Sequence, residues 1–194
     1  MLSYAEPKHI NYSYGKIELY HNSHYAFKLN DPNYMPAQGT GDFQRIGDQM
    51  EMGGIMLRMA IGQKADRPNV RWRWGVIKLP KGSTTTYSVL FDNVTGNTML
   101  DPWNSDSVKV IRTGWWQNQL TSLEVGETAK EQTHFKKMFI KYKRKIKFQP
   151  LSGNTTHDDG DLYFIVVAYD TFGTLTTDNI CWIQPTQTIY FKDP

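Results

Sequence analysis

The chain has 194 residues, enough for one domain with a substantial core. Aromatics at 13% exclude general disorder, and a net charge of +3 with a pI near 8.8 does not by itself make a nucleic-acid binder. One cysteine, Cys181, excludes an internal disulfide and a thiolate zinc cluster, and no apolar run long enough to span a bilayer or act as a signal peptide is present, so no membrane partner is expected.

Residues 1–15 are polar and tyrosine-rich and read as an extended lead-in to a single domain covering 1–194. Lys16 to Asn30 carries two alternating pieces, Ile17 and Leu19, then Tyr25, Phe27 and Leu29, which predict one strand broken near His21–His24. Asp31 to Asp42 has loop chemistry. Ile55 to Ile61 is apolar except for Arg58 and predicts a buried strand, with Gly53-Gly54 marking a bend or bulge at its start. Val70 to Leu79 alternates, with Val70, Trp72, Trp74 and Val76 on one face and Arg71 and Arg73 on the other. Residues 80–106 form a long Pro/Gly/Ser/Thr/Asn/Asp-rich loop, which points to an interaction surface. Ser107 to Leu120 holds another strand candidate, and Leu123 to Gln132 is a polar connector.

The clearest pattern is Phe135 to Phe148, FKKMFIKYKRKIKF. Ile140, Tyr142, Ile146 and Phe148 share one parity, with Arg144 among them, and Lys141, Lys143, Lys145 and Lys147 share the other. A helix would scatter those lysines; a strand puts them in one row, about 6.8 Å apart and roughly 20 Å long. Like charges so spaced repel unless water, salt or a polyanion screens them. After a turn over 151–161, Leu162 to Tyr169 is apolar throughout and predicts a central strand covered on both faces. Thr171 to Asn179 is a loop, and Ile180 to Lys192 closes the chain with one or two strands. With no repeat and no amphipathic helix, about eight strands and long loops predict an all-β sandwich or barrel.

Motifs for catalysis and cofactors are missing. His21 and His24 lack an evident third metal ligand; Asp158, Asp159 and Asp161 lack the spacing of a calcium loop; no nucleophile or phosphate-loop motif is present. The expectation is no enzyme, no metal and no cofactor. Basic and aromatic residues carry more information. Arg71-Trp-Arg-Trp74 interleaves cations with rings, Arg112 precedes Trp115-Trp116, and the lysine row follows. Cations hold phosphates and exposed rings stack unpaired bases. The candidate nucleic-acid contacts are Lys141, Lys143, Lys145 and Lys147, with Arg71 and Arg73 secondary. Exposed tryptophans also admit a carbohydrate-binding β-sandwich.

Several pieces, in order, resemble the capsid protein of circovirus-like viruses, which package circular single-stranded DNA. They are Glu6-Pro-Lys-His-Ile-Asn11, Gln44-Arg-Ile-Gly-Asp48 before the Gly54–Ile61 strand, Val70-Arg-Trp-Arg-Trp74, Asp101-Pro-Trp103, the lysine strand, Leu162 to Tyr169, and Tyr190-Phe-Lys-Asp-Pro194. The resemblance implies an eight-stranded jelly roll of two facing four-stranded antiparallel sheets with Greek-key connections. It implies self-assembly into a T=1 icosahedral shell of sixty copies around single-stranded DNA, a place in the virion and assembly in the host nucleus; no receptor is indicated. The family's arginine-rich N-terminal arm has no counterpart before Leu2-Ser-Tyr-Ala-Glu6. Sixty chains at +3 bring about 180 charges, too few for a genome on the order of a thousand nucleotides, so bulk neutralisation and nuclear import are expected to belong to such an arm.

Overall fold

The computed structural model describes residues 7–117, 132–150, 155–171 and 175–193. The polar connector, except Gln132, lies outside these residues, as do 1–6 of the lead-in, 151–154 of the turn, 172–174 of the following loop and Pro194.

Nine strands are present among the described residues: β1 (Pro7–Ser13), β2 (Ile17–Tyr20), β3 (Ser23–Lys28), β4 (Gln49–Gln63), β5 (Val70–Leu79), β6 (Lys109–Gln117), β7 (Gln132–Lys147), β8 (Asp161–Asp170) and β9 (Asn179–Lys192). They form two sheets. The first runs β1-β9-β4-β7, with β2 also pairing β9; the second runs β3-β8-β5-β6. Every pairing is antiparallel. Because β1 and β2 lie end to end along β9, the first sheet has four strand positions. Apart from the β1–β2 and β5–β6 steps, each link in the chain passes to the opposite sheet. This is the wrapping of an eight-position jelly roll with Greek-key connections, as the resemblance implies, within the all-β sandwich or barrel that the alternating pattern predicts.

Period-two burial builds the core between the sheets. From the first sheet come Met50, Met52, Ile55, Leu57, Met59, Ile61, Met138, Ile140, Tyr142 and Ile146; from the second come Val70, Trp72, Trp74, Val76, Leu162, Phe164, Val166 and Ala168. The β4 register shifts between Met52 and Gly54 against both β7 and β9, which is the bulge the glycine pair predicts. A second cluster covers the outer face of β8 and β5. Loop residues Leu90, Phe91, Met99 and Val108 pack on Ile77, Leu79, Ile165 and Val167. The 80–106 loop is therefore a lid on the second sheet, and β8 is covered on both faces.

Two expectations change in the fold. The lead-in is a strand over Pro7–Ser13, paired residue by residue with β9. The piece from Lys16 to Asn30 is a corner between sheets: β2 pairs β9 in one sheet and β3 pairs β8 in the other. Asn22, at φ 53°, makes the turn, and its side-chain amide reaches the Gly96 carbonyl at 3.2 Å.

Candidate nucleic-acid interface

The lysine row lies where the alternation places it. β7 is the edge of the first sheet, and Lys141, Lys143, Lys145 and Lys147 are all exposed on its outer face. The opposite parity holds the row in place. Met138, Ile140, Tyr142 and Ile146 are buried, and the Tyr142 hydroxyl donates to Asp159 Oδ2 at 2.6 Å. Burial alone would raise the Asp159 pKa; hydrogen bonds from Lys78 and Tyr142 hold it below the ordinary carboxylate range.

Register carries the charge across the sheet. Lys137 stands opposite Arg58, and Lys145 opposite Glu51, whose other neighbour is Lys192. The outer face thus gathers Arg58, Lys137, Lys141, Lys143, Lys145, Lys147 and Lys192. Among the described residues only Glu18 and Glu51 oppose them on the same strand faces. Arg58 Nη1 donates to Thr188 Oγ1 at 3.1 Å, and Thr188 donates in turn to Asn11 at 2.7 Å.

Rings share this face. Phe135 is 81% exposed, and Phe139 and Tyr190 are also exposed. The Phe139 ring lies across the backbone of Gly54, where a Cβ would sit 2.6 Å from its tip. From there it meets Tyr190 at 6.2 Å between centroids; Tyr190 meets His9 at 6.3 Å, and His9 meets Phe43 at 5.7 Å. Arg58, Lys192, Phe139 and this ring series were not singled out from the sequence. Their grouping depends on strand order, and no single segment shows it.

Arg71 and Arg73 are on the outer face of the second sheet, on the opposite side of the sandwich. Arg71 is exposed, beside Tyr169 and Gln117 in register. Arg73 is only 6% exposed. Its Nη1 donates to the carbonyls of Thr98 at 2.7 Å and Asp101 at 2.6 Å, and more weakly to Met99 at 3.4 Å. Its guanidinium lies 4.7 Å from the Trp103 ring and 5.2 Å from Phe91. This arginine ties down the loop lid, with Nη1 committed to loop carbonyls and the side chain 6% exposed. Asp101 is the matching hub: its carboxylate accepts from Tyr87, from Thr95 Oγ1 at 2.7 Å, and from the amides of Thr95 at 2.8 Å and Gly96 at 3.0 Å. Arg45 of the Gln-Arg-Ile-Gly-Asp segment is also buried, 4.0 Å over the Phe148 ring.

The remaining candidates are dispersed. His21 Nδ1 accepts the Asp170 amide at 3.1 Å, while His24 Nε2 lies 2.6 Å from the Thr85 carbonyl. Asp159 is paired with Lys78, Asp161 with Lys28 at 2.9 Å, and Asp158 lies 3.9 Å from Lys81. Among the described residues no three His, Cys, Asp or Glu side chains gather as a metal site, and no helix is long and apolar enough to cross a membrane.

No protein-family model matches the sequence, and no curated protein does. Among solved structures, a chain of infectious bursal disease virus, Gx strain, is 9% identical over 96% of this chain and 32% of its own length, with a TM-score of 0.37. A chain of Desmodium yellow mottle tymovirus is 10% identical over 98% of this chain and 87% of its own, with a TM-score of 0.38. This chain spans about a third of the former and most of the latter. Neither likeness is close enough to bear on function, and the jelly roll rests on strand order and register.

Proposed function

We propose that this chain is a viral structural protein that assembles with copies of itself into a small icosahedral shell, and that the outer face of β1-β9-β4-β7 meets packaged single-stranded DNA. The observation that carries the reading is the segregation of charge: one sheet face gathers cations from β4, β7 and β9, whereas on the facing sheet a loop lid covers the outer surface of β8 and β5 and leaves Arg71 and Trp115 exposed beside it. A row of lysines along a sheet edge has no use in the core, and phosphates relieve its self-repulsion. The ordered motifs shared with circovirus-like capsid proteins support the same reading, including sixty copies in a T=1 shell, location in the virion and assembly in the host nucleus. The role is structural, with no catalytic step. Arg73 is no part of the interface, and Arg71 lies on the wrong side of the sandwich to extend it.

The test is a salt series. With one phosphate per lysine, log affinity for a labelled single strand falls against log salt with a slope of about −0.7 per contact, so roughly −3 from the row. Changing Lys141, Lys143, Lys145 and Lys147 to Gln leaves the buried parity intact and flattens the slope by most of that amount. An unchanged slope in a folded variant assigns the row to solvent or a neighbouring subunit.

A second reading, a carbohydrate-binding sandwich, draws on a cleft of about 580 Å³ on the second sheet. Trp115, 58% exposed, lines it together with Arg71 and Tyr169. Glycan binding lost on Trp115→Ala, by a chain that stays monomeric, is the result this reading requires.

A further inference from the structure

The proposed phosphate contacts account for the lysines but leave the rings unexplained. Phe139, Tyr190, His9 and Phe43 come from β7, β9, β1 and the loop before β4, and form a strip running across the strands. Gly54 is what allows it. Any side chain there would strike Phe139, so the glycine lets the tip of that ring lie over β4, with its centroid 6.2 Å from that of Tyr190. Phe43 is 57% exposed, Phe139 44% and Tyr190 37%. Cations flank it along the strand direction. Lys141 shares a row with Tyr190 and His9; Lys137 and Arg58 lie to one side, and Lys145 and Lys192 to the other.

Exposed rings in mutual edge and tilted contact, bordered by cations on the neighbouring register positions, match an unpaired nucleotide better than a duplex. In a duplex the bases are stacked inward and only phosphates reach a flat surface. In a single strand the bases turn out and can lie on rings while the backbone tracks the cations. We infer that the Phe139–Tyr190–His9–Phe43 strip is a base-stacking platform, which makes the face selective for unpaired bases rather than for negative charge alone. The inference rests on the proposed nucleic-acid reading and adds a base-dependent contribution to it.

The experiment compares the purified chain's affinity for labelled oligothymidylate, an abasic strand of equal length and charge, and a duplex, each across a salt series. Stacking contributes about tenfold for each ring engaged, so the base-bearing strand binds about ten- to a hundredfold more tightly than the abasic strand, with the same salt slope. In Phe139→Leu/Tyr190→Leu, which keeps apolar cover on the sheet, that preference disappears and the salt slope stays. Equal affinity of the parent for base-bearing and abasic strands overturns the platform while leaving the phosphate contacts standing. Parent binding to neither strand overturns both. Because the parent comparison decides the matter alone, a variant that fails to fold does not protect the inference.

Discussion

Replacing Arg73 by Met removes every donor of the guanidinium while keeping an apolar stem of similar length. The carbonyls of Thr98 and Asp101, now 2.7 and 2.6 Å from Nη1, stay behind in a buried setting. Hydrogen bonds from a charged donor contribute about 1.5–3 kcal/mol each, and the ring contact with Trp103 at 4.7 Å adds about 1. Replacing a buried charge by an apolar group is sometimes neutral, but only when its partners go as well, and backbone carbonyls cannot. Relief of the guanidinium's desolvation offsets part of the roughly 4–7 kcal/mol these contacts sum to, so the expected loss is about 3–5 kcal/mol, a large fraction of a typical total of roughly 5–15. Urea unfolding of parent and variant at equal m-value measures it, and Arg73→Lys, which retains a point donor, falls between them. Affinity for single-stranded DNA in any folded Arg73 variant equals that of the parent. A loss below about 1 kcal/mol on Arg73→Met, or a flattened salt slope in a folded variant, refutes this assignment and returns Arg73 to the nucleic-acid contacts.

Ile165→Asp places an unpaired carboxylate between β8 and the loop lid, costs several kcal/mol, and yields insoluble or unfolded protein; a soluble, folded variant in circular dichroism contradicts the two-sided burial of β8. Burial lowers the pKa of His21 below the ordinary value of 6.5, against the pull of Asp170 and Asp178 and with the help of Arg67. The unfolded chain therefore takes up a proton that the folded chain resists. Stability from this site is complete above the unfolded value and is lost as pH falls below it. His134, lowered by burial and by Lys136, acts in the same direction. Urea midpoints fall from about pH 7.5 to about pH 5.5, less steeply in His21→Gln; a flat or rising profile in the parent contradicts the buried neutral imidazoles.

The fold was legible in the sequence wherever alternation was strong. In β7 and β5 the pattern assigns each residue to the correct face, and the continuous apolar run of β8 marks a strand between two layers. β1 was harder to read because its burial alternates only between exposed and half-buried, a weak contrast for a tyrosine-rich segment. The corner at Asn22 looked like a break in one strand because alternation on either side says nothing about which sheet each piece joins. Arg73 shows the larger limit. Parity places it correctly on the outer face, but outer is not exposed when a loop closes over the sheet. The ring strip was beyond any linear pattern, since its members come from four segments, Phe43, His9, Phe139 and Tyr190, that only strand order and the absent Gly54 side chain bring together.

Multi-angle light scattering of the purified chain, read together with negative-stain images, tests self-assembly most directly. Closed particles of about 1.3 MDa, the mass of sixty 22.5 kDa chains, are the predicted result. A single species at the mass of one chain, across salt concentrations and with single-stranded DNA present, contradicts the capsid reading.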